Sequence, residues 1–587
     1  MSRLAFINED LRRDWPWLSP VLLAGLALRL WGIGFGLPGL YHTDENLIVR
    51  QALAFGAGIL RPYSYVYSPF LPYCLTFLYG LYFLVGLLTG RFHSPSDLAI
   101  LYFNDPTPFY LLARLTSAVF GLAAVVITYI LATRMYGRVA GVSAVFVALS
   151  PALVLHSHYG MSDVPVACLI LVALYALWCF IEEPTTRRLF IAGIVVGLAI
   201  VMKYSAWVLI FPLIVTVIVV ARRERWPGRR ILGYLALGGF VAIGTFLVIS
   251  PYTALDFRNF WADVVIFQLG TQLRQGESFI GLWTYYLSAF AVEGLGFPLL
   301  VAALIGSAYA IYLRRPADIL LVSFLVPYLA MLLFQGRQQF NWIVPVIPVL
   351  CILASLTLDA IWRAMSAAWM RWRPAALVVL AIMIGPMAHR AYERSQWLSW
   401  PDTRNIAREW IEAHIPAGAR ILSDPMWTVP QLRQNRESLI RYLGERANAK
   451  DIENRPESTR TAYSQYVHYQ LAALESYSGP TYDIVYIQHE WWKSDEGAPD
   501  IQVYPVWGLF EGRVFSLDEL RAQGFQYVVV SSLKYLQYLR EEGKEKWPSY
   551  YALYSSLEEQ CRLVQVFAPD TGIAGPIVKL YDLHGQP

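Results

Sequence analysis

The sequence predicts a polytopic α-helical membrane protein that carries a C-terminal extracytoplasmic α/β domain. Three observations lead there. Of its 587 residues, 56% are hydrophobic and only 15% charged, with a mean hydropathy of +0.42. Apolar runs of about 18 residues or more, the length that crosses ~30 Å of hydrocarbon, recur through the first two thirds of the chain. Beyond them, short amphipathic helices alternate with short apolar strands, the pattern of a small α/β domain. The expected division is a membrane domain over 1–390 and a soluble domain over 391–587.

The apolar runs lie near 18–37, 69–89, 110–133, 139–157, 164–181, 188–202, 205–221, 232–250, 297–313, 318–334, 342–362 and 374–390. Basic residues cluster in alternate loops: Arg134 and Arg138, Arg187 and Arg188, the group 222–230, Arg314 and Arg315, then 363–373. Cytoplasmic loops hold the excess of Lys and Arg, so all five clusters face the cytoplasm if every run from 110 onward crosses. Arg3, Arg12 and Arg13 join them only if 69–89 does not cross. That run contains Pro69 and Pro72, and it is expected to lie in the interface or to dip in and return. The result is about 11–13 membrane helices, with the amino end inside and the C-terminal domain outside. A twelve-crossing alternative would place the amino end outside.

Other classes are excluded. The net charge of +4 is small, and no basic patch is interleaved with aromatics, so nucleic acid is not an expected partner. The five cysteines form no CxxC and no disulfide framework. The run after Arg12, Arg13 and Asp14 is too long for a signal-peptide core and is expected to remain as an anchor. In the C-terminal domain, Thr403–His414 reads as an amphipathic helix, and strands are expected at 420–424, 482–488, 526–531, 563–568 and 576–581.

In this topology the polar stretches converge on the outer side. The stretch Tyr41-His42-Thr43-Asp44-Glu45 follows the first run directly, within an outer segment over 38–108. Ionised groups at such a depth usually have partners or a task; Thr43-Asp44 is alternatively a fair N-cap. Arg114 sits just inside the run that starts near 110, where it could snorkel or bind an anion. Asp163 opens a helix before Pro165, Lys203 interrupts a long apolar run, and Arg337 lies among glutamines between two runs. Arg29, deep in the first run, requires a partner. His156, His158 and Asp163 make a metal site only with irregular backbone, and none is expected. Outward acids and cations at headgroup depth suit chemistry on an anionic lipid. Cations would hold a phosphate, and a carboxylate would take a proton from an attacking hydroxyl.

His42-Thr43-Asp44-Glu45, Ala113-Arg114-Leu115, Tyr136-Gly137-Arg138 and Ser162-Asp163-Val164-Pro165, in that order, resemble the GT-C superfamily of membrane glycosyltransferases. The branch is that of the protein O-mannosyltransferases and lipid A aminoarabinose transferases. The resemblance covers most of 15–390, and the Trp410–Gly418 segment looks like the extracytoplasmic domain of bacterial relatives. It implies inverting transfer of a sugar from a polyprenyl-phosphate donor to an acceptor hydroxyl outside the membrane. Asp44 matches the base and Glu45 a residue that places the acceptor. Arg114 and Lys203 match donor-phosphate contacts, Arg337 stands beside them as a phosphate-binding candidate, and Asp163, His42 and Tyr41 stand as substrate-binding candidates. The implied partners are the lipid-linked donor, membrane lipids and a protein, lipid or glycan acceptor, with no obligatory metal or nucleotide. One departure stands out. Some relatives carry a lysine in the first outer segment, where this chain offers Arg50, Arg61 and Arg91. The rival classes are a lipid-linked-substrate transporter, or flippase, and a membrane-anchored binding protein.

Overall fold

The computed structural model describes residues 3–266, 270, 278–334, 338–368, 373–447, 457–487 and 516–586. Packing divides the chain into two compact units. The first comprises Met1–Ile33, Ser64–Thr76 and Leu111–Gln396; the second comprises Gly34–Tyr63, Phe77–Tyr110 and Trp397–Pro587. Much of the first outer segment thus packs in one unit with C-terminal residues.

Apolar periodicity becomes helix where the sequence places it, among others at Thr107–Tyr136, Asp163–Glu182, Gly228–Ile249 and Pro316–Phe334. Among the described residues seven helices are long and apolar enough to cross a bilayer, or up to nine if each of two bent pairs counts as one span. Other runs are helical too, including Arg3–Leu30, Thr186–Met202 and Arg373–Ser399. The stretch 69–89 is one unbroken helix, Phe70–Leu88, that meets the length for crossing. Pro72 stands in its first turn, where a missing N–H costs no intrahelical bond. The breaks lie elsewhere: Arg138–Leu149 meets Pro151–Ser157 at 51°, and Phe279–Gly294 meets Phe297–Leu313 at 116°.

Ion pairs order one end of the first unit. Arg134 grips Glu182 through two bonds, Nε to Oε1 at 3.0 Å and Nη2 to Oε2 at 2.5 Å. Arg138 pairs with Asp14, Arg188 with Glu183, and Arg315 with Asp318, which also accepts the Tyr136 hydroxyl. These arginines belong to three of the clusters that the loop pattern put on one side. Arg114 lies 20 residues before Arg134 on one helix, and Asp163 opens the helix that ends at Glu182. At 1.5 Å per residue both stand about 30 Å from the arginine-rich end.

In the second unit, strands β1 (Arg420–Ser423), β2 (Asp483–Tyr486), β3 (Tyr527–Ser531), β4 (Arg562–Phe567) and β5 (Val578–Asp582) form one sheet in the order β2-β1-β3-β5-β4. β1 runs parallel to β2 and β3, while β5 is antiparallel to β3 and β4. Its two faces bury separate clusters: Leu520, Phe525 and Leu557 on Val528 and Val530, and Ala407 and Ile411 on Ile421 and Val529. At the end of β1 the buried Asp424 accepts the Ser531 amide at 2.8 Å and the Tyr554 hydroxyl at 2.6 Å.

Candidate active site

The residues singled out in the sequence fall in both units and are taken unit by unit. In the second unit, helix Thr43–Gly56 begins at the expected place, but its N-cap is His42, whose Nδ1 accepts the Glu45 amide at 3.4 Å. The two acids then diverge, as neighbours on a helix must. Glu45 is buried at 1% exposure. Asp44 is half-buried, and the neighbouring Thr43 hydroxyl donates to its Oδ1 at 3.3 Å. Asp44 thus lies in a helix first turn, where the peptide dipoles favour a carboxylate. Tyr41 is engaged within the unit: its hydroxyl donates to Asn405 Oδ1 at 2.8 Å, and the Arg404 guanidinium lies 3.7 Å from its ring centroid.

In the first unit, Asp163 and Lys203 meet. Lys203 caps helix Thr186–Met202 in extended backbone, and its Nζ donates to Asp163 Oδ1 at 2.5 Å. The same oxygen accepts Asn341 Nδ2 at 3.1 Å. The Asp163 side chain is 2% exposed and that of Lys203 16%. A buried carboxylate needs such a cation, since leaving it unpaired is costly. Ser68 belongs to the same neighbourhood, its hydroxyl donating to the Val201 carbonyl. Asn341 stands between the same two runs as Arg337, and its neutral amide carries no sequence signal.

Arg114 is 1% exposed, and its Nη1 donates to the Ile33 carbonyl at 2.9 Å, so it does not snorkel. Arg29 finds its partners in backbone oxygens: Nη1 meets Gly25 O and Ala148 O at 2.9 Å, and Nη2 meets Val147 O at 3.3 Å. Both ring nitrogens of His158 face carbonyls, Val154 O at 2.9 Å and Trp31 O at 3.0 Å, so the ring is turned away from Asp163. Among the described residues no three His, Cys, Asp or Glu side chains gather as a metal set. Arg337 lies outside the described residues.

Comparison with known proteins adds a family pattern. Residues 111–251 match the model of the dolichyl-phosphate-mannose-protein mannosyltransferase family, a range that holds Arg114, Asp163 and Lys203. The undecaprenyl phosphate-α-4-amino-4-deoxy-L-arabinose arabinosyl transferase of Pseudomonas paraeruginosa is 26% identical over 335 residues, 52% of this chain and 58% of that protein. Its Pseudomonas fluorescens counterpart is 25% identical over 301 residues, 46% and 53% of the two chains. The chain spans little more than half the length of these curated relatives. Among solved structures, ArnT from Cupriavidus metallidurans bound to undecaprenyl phosphate gives a TM-score of 0.48 at 14% identity, covering 96% of this chain and 98% of that one. The Archaeoglobus fulgidus oligosaccharyltransferase AglB, with an inhibitory peptide and a dolichol-phosphate, gives 0.49 at 13% identity over 96% and 74%. The long apolar helices among the described residues make this a multi-pass membrane protein.

Proposed function

We propose that the protein is an inverting glycosyltransferase. It would move a sugar from a polyprenyl phosphate to an acceptor hydroxyl at the outer face of the membrane, with the C-terminal domain over 391–587 extracytoplasmic and the amino end cytoplasmic. The observation that carries this reading is the division of labour among three acids. Asp163 is held in an ion pair and Glu45 is buried, whereas Asp44 is half-buried and meets, among the described residues, a hydroxyl on its own helix turn. A general base needs an accessible lone pair on a carboxylate that is not already neutralised.

In this scheme Asp44 accepts the proton of the acceptor hydroxyl as its oxygen bonds to the anomeric carbon. The bond from that carbon to the phosphate oxygen breaks, and the electron pair leaves on polyprenyl phosphate. Lys203, Arg114 and Arg337 are the cations this chain offers to a donor phosphate. Glu45 holds the first turn that carries Asp44, and His42 and Tyr41 shape the approach to it. No metal is part of the proposal. The family match over 111–251 and the curated relatives, named for an undecaprenyl-phosphate donor, support this assignment.

The test is release of free polyprenyl phosphate from synthetic lipid-phosphate sugars by the purified full chain, with a cell-membrane extract supplying the acceptor hydroxyl, wild type against Asp44→Asn. General-base removal costs about 10²- to 10⁴-fold in rate, so the variant should retain at most about 1%; near-normal turnover sinks the assignment. The two bent helix pairs also suit a transporter, whose substrate sites use broken helices. That reading requires sugar and lipid to remain joined in the same assay.

A further inference from the structure

We propose that the C-terminal residues of the second unit form a clamp that fixes the loop 36–41, and through it the direction of Asp44, with Asn405, Gln431 and Arg404 as positioning residues. The loop has little structure of its own, yet its backbone groups are bound. Leu40 gives its amide to Gln431 Oε1 at 2.9 Å, and its carbonyl accepts Gln431 Nε2 at 3.0 Å. One side-chain amide thus reproduces the paired bonds of a β-bridge. Asn405 binds the same loop on either side of Leu40. Its Nδ2 donates to Gly36 O at 2.9 Å and Leu37 O at 3.2 Å, while its Oδ1 accepts the Tyr41 hydroxyl.

Arg404 closes the clamp from above the Tyr41 ring. It is itself held by Asp402, Nε to Oδ1 at 2.8 Å and Nη2 to Oδ2 at 2.6 Å, and by the Trp427 carbonyl at 2.8 Å. Gly39 leaves room for that ring, since a Cβ there would come 2.4 Å from it. Burial keeps the Tyr41 phenol protonated well above the usual range, so it remains a donor to Asn405.

Asp44 lies three residues past Tyr41, in the first turn that His42 caps. The clamp therefore sets where that turn starts. A base works only within hydrogen-bond reach of its proton, and a displacement of about 1 Å at a reacting group costs about 10²-fold. A C-terminal domain that looks like an appendage in sequence would then be a working part of the catalytic loop. This consequence for rate rests on the transfer reaction proposed above; the clamp itself does not.

Two variants of the full chain test it. Gln431→Met keeps the length and removes the amide; Asn405→Asp keeps the acceptor for Tyr41 and turns the donors into oxygens facing two carbonyls. Backbone hydrogen exchange over 36–46 should speed by about fivefold or more in each. At saturating lipid-phosphate sugar, turnover should fall about 10- to 10²-fold, while KM for that donor and the melting temperature stay put. Unchanged exchange overturns the clamp. Faster exchange with normal turnover, or a loss that merely tracks lost folded protein, overturns its positioning role. Should wild type release no lipid phosphate at all, the transfer reaction fails instead, and exchange alone decides the clamp.

Discussion

Replacing Lys203 by Met removes the cation from a carboxylate that has nowhere else to go. At the 2.5 Å separation of Nζ and Oδ1, with an effective dielectric near 20, the attraction is about 7 kcal/mol. Burying both ions offsets much of that, so the pair contributes little net stability. Breaking it is another matter: the lone Asp163 stays buried, and the expected cost is about 3–5 kcal/mol. Asn341 keeps its bond to Oδ1 but brings no charge. Asp163→Asn in the Lys203→Met background removes the stranded charge, so the double variant should regain most of the loss. The two substitutions should then couple by about 2 kcal/mol or more. The assay is unfolding of the four purified full-length proteins in one detergent, followed by tryptophan fluorescence. Donor use gives a second readout. A charge-assisted bond to phosphate contributes about 1.5–3 kcal/mol, so Lys203→Met should weaken donor binding by about 10- to 150-fold. An unchanged unfolding temperature in Lys203→Met, or additive losses in the double variant, would refute the buried-pair argument.

Gly121→Ala should cost about 1–3 kcal/mol by overpacking, because a Cβ there would lie 2.7 Å from Arg29 Nε and 2.6 Å from Ser157 Oγ; unfolding of the purified chain measures it, and a neutral effect would contradict the close approach. Lys534 is 2% exposed, and burial pushes its ammonium down to about 8, against the pull of Asp424. Between that value and the unfolded value of about 10.4, the unfolded chain binds a proton that the folded chain does not, so stability rises with pH through this window. Lys534→Met should flatten the rise, as seen in unfolding midpoints at pH 7, 9 and 10.5; identical slopes would show that the amine titrates normally.

How far the sequence carries differs from element to element. Helix Thr403–His414 and all five strands of the sheet lie where apolar periodicity and Pro-Gly punctuation put them, since those signals are local. The grouping of Arg134, Arg138, Arg188 and Arg315 followed from loop charge, which reports one bilayer's asymmetry and needs no packing detail. The stretch 69–89 is an unbroken helix despite its prolines, because a proline counts against a helix in its interior but not in its first turn. His42 displaced Thr43 as the N-cap because an imidazole nitrogen can accept what a hydroxyl usually does.

The residue types that carry charge therefore announced themselves. Asp44, Asp163, Arg114 and Lys203 stand out because ionised groups are rare beside apolar runs. What each one touches did not. Lys203 could have met phosphate or carboxylate by spacing alone; the folded chain brings it to Asp163, 40 residues away. Asn341, Asn405 and Gln431 were silent because neutral amides are ordinary in sequence and acquire a role only through the groups that folding sets opposite them. Composition and period are properties of neighbours along the chain, so they determined the helices, the strands and the membrane. Partnership joins residues hundreds of positions apart, and only the tertiary structure decides it.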